Sequence, residues 1–180
     1  MRNRLLCLLT AFSLSGCTAA SPRHPALEPL LDTIEQRLAI AQAVALHKWD
    51  KEQAVQATDR EQAVLARVQV AAPGLGLTPH DAEAFFADQI EANKLVQYTL
   101  LHEWRLAGRA PDNLRADLQT VIRPKLDRLE GQLLEQLAAF RRQDGQACAR
   151  SVATAIASRP SAALMKQGMI RATGQLCDPS

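Results

Sequence analysis

Residues 26–51 read ALEPLLDTIEQRLAIAQAVALHKWDK. Within them Leu30, Ile34, Arg37, Ala41, Val44 and Lys48 recur at alternating steps of four and three, the spacing of the buried stripe of an amphipathic helix. After Pro29, which falls in the opening turns, no Gly or Pro interrupts the run. One long helix is therefore predicted over 26–51. Two of the six stripe positions are cations. An unpaired cation is costly to bury, so an anion is expected opposite them, either a protein carboxylate or a ligand. Alternatively, both side chains snorkel to water from a partly exposed stripe. Arg37 and Lys48 are eleven residues apart, about 16 Å of helix axis on nearly one face, so both could reach one small molecule between them.

The rest of the chain supports an all-α reading. Hydrophobic residues make up 47% of the 180, but aromatics only 4%, and no alternating Val/Ile/Thr-rich run is bounded by turns. That composition favours helices and predicts essentially no strand. The expected architecture is one helical bundle of about six helices, with long first and third helices.

Helix boundaries follow from caps and breakers. Thr58-Asp59-Arg60-Glu61 has the capping-box pattern and should start a second helix, with Val64, Val68, Ala71 and Leu75 on its buried side and a stop at Gly74–Gly76. Thr78-Pro79 pairs a capping hydroxyl with proline at the first helical position. It should open a third helix that runs to about Leu106 and ends at Gly108. From Pro111-Asp112 a further helical stretch is predicted through Leu114, Leu118, Val121 and Ile122, kinked or restarted at Pro124. It resumes at Leu126, Leu129, Leu133, Leu137 and Phe140 and ends at Asp144-Gly145. Two short helices, about 146–158 and 161–176, close the chain around Arg159-Pro160.

The first 20 residues read as a leader. Two arginines in 1–4 precede a short apolar run over 5–14, too short to span a bilayer. Leu14-Ser15-Gly16-Cys17 resembles the lipobox of bacterial lipoproteins, in which the cysteine is lipidated; cleavage near Ala19 and Ala20 is the alternative. Either outcome exports a domain of residues 21–180 to the periplasm or beyond, with no membrane contact other than the leader or a lipid on Cys17. Cys7 is discarded with the leader. Cys148 and Cys177 then remain in an oxidising compartment, and one disulfide between them is the economical expectation. Over that loop it should contribute about 3–4 kcal/mol. His24, His47, His80 and His102 show no ligand spacing, so no metal site is expected. A net charge of +2 does not suit a nucleic-acid binder.

Further polar residues fall where helices should be apolar. Gln89, Asn93 and Gln97 run at i, i+4, i+8 through the face marked by Phe86, Ile90, Leu100, Leu101 and Trp104. Buried amides need partners, from one another, from backbone or from a ligand. Arg60 stands in the first turn of a helix, against its dipole, and Arg123 stands at the break before Pro124. The candidate set is Arg37, Lys48, Arg60, Asn93, Gln97 and Arg123. No nucleophile has an adjacent base, so the set suits a small polyanion rather than covalent or acid–base chemistry.

Gln36-Arg37-Leu38, Lys48-Trp49, Arg60-Glu61-Gln62, Phe85-Phe86-x-x-Gln89-Ile90-x-Ala92-Asn93-Lys94-x-x-Gln97-Tyr98 and Arg123-Pro124-x-Leu126-Asp127 together resemble the secreted, all-helical chorismate mutases. The Cys148/Cys177 pair fits the same pattern. The resemblance covers nearly the whole mature chain. It implies rearrangement of chorismate to prephenate, on the route to phenylalanine and tyrosine, without a cofactor and in a homodimer whose sites each lie within one subunit. It implies that Arg37, Arg60 and Arg123 hold carboxylates and that Lys48 donates to the ether oxygen and a carboxylate. Gln97 would donate to that oxygen from the other side, and Asn93 would contact a carboxylate or position water. Some members carry Glu at the Gln97 position, which must be protonated to donate; Gln donates at any pH. Two departures stand out: Ala57 replaces an acidic loop residue, with Asp59 two positions on, and Val64 replaces a polar one. The competing expectations are an exported helical lipoprotein or adaptor without catalysis, and a small-anion binder without turnover.

Overall fold

The computed structural model describes residues 25–143 and 148–178; the expected leader, with Cys7 and Cys17, lies outside them. Among the described residues the regular structure is helical: α1 (Leu27–Ala39), α2 (Ala41–Asp50), α3 (Thr58–Ala71), α4 (Pro79–Ala107), α5 (Arg123–Arg141), α6 (Cys148–Ser158) and α7 (Ala163–Ala172). A 3-10 turn, Ala72–Leu75, follows α3, and a wide turn of π type, Leu118–Ile122, leads into α5.

All six positions of the opening stripe are buried. The single helix expected over 26–51 is instead α1 and α2, separated by Ile40, which keeps helical torsions (φ −72°, ψ −21°). The interruption has a local cause. In an unbroken helix the Arg37 carbonyl serves Ala41 N–H; here it accepts Nδ2–H of Asn93 at 3.2 Å. A side chain that enters the carbonyl ladder bends or breaks it.

Helix α4 follows its sequence signals. The Thr78 hydroxyl accepts from Asp81 N–H at 3.0 Å, and Gly108 closes the helix in the left-handed region at φ 71°. Gly76 does the same after the 3-10 turn at φ 76°, a conformation that costs other residues about 1 kcal/mol or more. The capping box at Thr58 is not formed. Ala57 is the cap position, and Glu61 reaches back to Ala57 N–H at 2.9 Å. Ala71 is exposed and Ala72 fully buried, because the turn tightens to 3-10 there.

The helix expected from Pro111 does not form before Leu118. Asp117 accepts from Gln119 N–H at 2.9 Å and Thr120 N–H at 2.7 Å, which caps the wide turn and fixes its start. Upstream, Arg115 donates to the carbonyls of Pro111 (2.9 Å) and Asn113 (2.7 Å) and to Asp50 (2.8 Å). Those backbone groups are satisfied by a guanidinium instead of a helix. Leu114 is accordingly exposed. Pro124 lies in the opening turn of α5, where its missing N–H costs nothing.

The main core joins α1, α3, α4, α5, α6 and α7 around Leu30, Leu31, Ile34, Phe86, Leu133 and Leu137, all fully buried. Each such side chain contributes about 1.5–3 kcal/mol by leaving water. α4 packs against α2, α3 and α7, and α1 packs against α5 and α7. The last helix, α7, is shorter than the 161–176 expected, and Cys148 and Cys177 form the disulfide that ties α6 to the turn after α7.

Candidate active site

The apolar core stops short between α1–α2, α3, α4 and α5, leaving a cavity. Arg37, Lys48, Arg60, Asn93, Gln97 and Arg123 all line it. They come from five places in the chain: the end of α1, α2, the first turn of α3, the middle of α4 and the start of α5. Val44, Val64, Phe86, Ile90, Leu118 and Leu126 supply an apolar wall.

Arg37 is buried at the C-terminal end of α1, where the helix dipole favours a cation. Its Nη1 donates to the Gln89 carbonyl at 2.6 Å. Burial holds its guanidinium well below the ordinary value, at about 10; Glu130 pulls the other way and Arg60 adds to the depression. Lys48 is also buried, and its ammonium donates to the Val55 carbonyl in the loop after α2. Burial lowers its pKa too, against the attraction of Glu61 and with the repulsion of Lys94. Both seam cations thus meet backbone carbonyls. Among the described residues neither forms an ion pair with a carboxylate.

The amides form a short relay. Gln97 Nε2 donates to Asn93 Oδ1 at 2.7 Å, and Asn93 Nδ2 donates to the Arg37 carbonyl. Gln97 keeps a second N–H in reserve. Gln89 belongs to the scaffold: it is fully buried and its Nε2 donates to the Ala172 carbonyl on α7 at 2.8 Å, while its own carbonyl receives Arg37.

Arg60 pairs with Asp127 of α5, and Arg123 donates to Gln119 at 2.6 Å. Four more charged residues, outside the candidate set read from the sequence, line the cavity: Glu61, Lys94, Asp127 and Glu130. Lys94 is clasped by Glu91 (2.6 Å), Glu61 (3.2 Å) and Gln56 (3.2 Å). Burial would lower its pKa, but the bonds to Glu91 and Glu61 outweigh that and hold it above the ordinary value. A usable signal existed for α5. Arg123, Asp127 and Glu130 repeat at i, i+4, i+7, a charged stripe on one face. Asp59 is exposed and not part of the cavity lining; Ala57 lines it without a charge.

This arrangement can hold a small anion at several points and donate hydrogen bonds to an oxygen placed between them. Residues 28–98 match the family model for chorismate mutase type II. The crystal structure of a chorismate mutase from Burkholderia phymatum shares the fold with a TM-score of 0.82 at 37% identity, over 87% of this chain and 99% of that one. The secreted chorismate mutase of Mycolicibacterium smegmatis is 33% identical over 112 residues, and that of Mycobacterium tuberculosis 27% identical over 111. Each match takes in 62% of this chain but spans only 61% and 55%, respectively, of those two relatives' lengths. With the cavity residues in place and the Burkholderia enzyme matched almost end to end, the chain belongs to the chorismate mutase family.

Proposed function

We propose that this protein converts chorismate to prephenate by a Claisen rearrangement, in which the ether C–O bond breaks as a new C–C bond forms. One observation carries the reading. Two buried cations, Arg37 and Lys48, face a cavity with only neutral carbonyls as partners. A carbonyl satisfies an N–H but does not neutralise the charge, so the cavity is preorganised for an anionic ligand. The adaptor alternative requires protein carboxylates on those two cations, and neither has one among the described residues.

The reaction needs no nucleophile. It needs the two reacting ends held together and donors aimed at the oxygen that gains charge. Arg37, Arg60 and Arg123 hold the carboxylates in this reading. Lys48 and the reserve N–H of Gln97 meet the ether oxygen, and Asn93 fixes the Gln97 carboxamide by accepting its other N–H. Every residue in the scheme belongs to one chain, which suits the homodimer of self-contained sites that the resemblance implies; light scattering tests the dimer.

Export belongs to the same proposal, in keeping with two relatives named as secreted. The intact mass of the mature protein separates lipidation at Cys17 from cleavage near Ala20. The activity itself is tested by mixing purified mature protein with chorismate and following its loss together with prephenate formation. Turnover is expected; binding without turnover would overturn the enzyme reading.

A further inference from the structure

A cavity for a dicarboxylate is an odd place for acidic side chains, yet Asp127 and Glu130 of α5 both line it. Left to themselves they would repel the substrate and capture the guanidinium groups meant for it. The Glu130 side chain is only 16% exposed, so water screens its charge poorly.

Arg67 answers both. It is an exposed residue of α3, two turns after Arg60, and does not line the cavity. Its Nε and Nη2 form a fork on Glu130 Oε1 and Oε2 at 3.1 and 2.8 Å. The same Nη2 lies 3.6 Å from Asp127 Oδ1, the oxygen that also receives Arg60. Arg60, Asp127, Arg67 and Glu130 therefore form one alternating row along the α3–α5 seam.

We propose that Arg67 is a positioning residue for substrate binding: by occupying Glu130 it leaves Arg37 free to hold a substrate carboxylate, and by sharing Asp127 it loosens that carboxylate's hold on Arg60. The proposal rests on the chorismate reading above. Glu130 already attracts Arg37 across the cavity, while Asp127 holds Arg60 directly. Without Arg67, Glu130 turns its full charge on Arg37, and Asp127 holds Arg60 undivided. The loss falls on ground-state binding, because no atom of Arg67 reaches the lining where bonds rearrange.

The test compares wild type, Arg67→Gln, Arg67→Lys and the double variant Arg67→Gln/Glu130→Gln in steady-state chorismate turnover, with thermal melting alongside. Arg67→Gln should raise KM about tenfold or more while kcat changes by less than about threefold. The double variant should recover most of that loss, since the charge to be neutralised is gone. Arg67→Lys, which keeps the charge without the fork, should fall between wild type and Arg67→Gln. It reads the same effect if the Gln variant does not fold. A wild-type KM in Arg67→Gln, or a defect that persists undiminished in the double variant, would overturn the proposal. Wild type that turns over no chorismate would instead overturn the reading beneath it.

Discussion

Gln97 donates to Asn93, one turn earlier on α4, through a 2.7 Å hydrogen bond between two buried carboxamides. Asn93 in turn is anchored to the Arg37 carbonyl at the break between α1 and α2. The donor proposed for the reacting oxygen is thus held by the same contact that interrupts the first helix. A glutamate at position 97 could donate only through the O–H of its protonated carboxyl; glutamine offers an N–H at every pH.

Wild-type kcat/KM should therefore stay level between about pH 6 and pH 8, with no acidic requirement from residue 97. Gln97→Glu should depend on protonation, losing activity as pH rises through its own carboxyl pKa. Rate profiles of both proteins over that range check this. A sharp fall in the wild type between those limits would remove Gln97 from its role.

On the alkaline side the buried cations set the limit. Burial depresses Arg37 to about 10 and lowers Lys48 below its ordinary value. A cation with a lowered pKa loses its proton earlier as pH rises, so kcat/KM should fall as pH approaches that of these groups. Bound dianion favours the charged forms, so the fall in kcat should lie at higher pH than the fall in kcat/KM. Stability moves in the opposite sense. The unfolded chain binds these protons more tightly, so between the folded and unfolded pKa values stability rises with pH. Parallel rate and denaturation profiles separate the two effects.

Lys48→Ala and Arg37→Ala should each lower kcat/KM by several orders of magnitude. Loss of one preorganised donor to a developing anion alone costs about 10²–10³-fold. Both variants should fold, because each removes a buried charge whose partner is a neutral carbonyl. Circular dichroism establishes folding, and wild-type rates in either variant would exclude the site.

Replacing Cys148 and Cys177 by serine opens a loop with a sequence separation of 29 residues. The chain-entropy cost is about 3–4 kcal/mol, read as a lower denaturation midpoint. Neither cysteine lines the cavity, so kcat/KM measured well below the melting temperature should survive.

Much of this was legible residue by residue. The opening stripe is buried at all six positions, and α4 begins and ends at its Thr78 and Gly108 signals. Other signals misled. Leu114, Leu118 and Val121 carry a helix-like pattern, but Asp117 bonds backbone N–H groups ahead of it and Arg115 takes the carbonyls behind it, so the segment before Leu118 is not helical. Glu61 read as part of a capping box, yet it also clasps Lys94 at the cavity.

The sequence by itself determined that the chain is helical, where most of its helices stop, and that cations and amides occupy faces that should be apolar. Those properties follow from periodicity and capping, which act within a turn or two of backbone. Only the tertiary structure decided what each polar group meets. Arg37 finds the carbonyl of a residue 52 positions away, and Arg60 finds a carboxylate 67 positions away. Whether a buried cation is neutralised or left for a ligand depends on such distant partners, which helix packing brings together and no local pattern encodes.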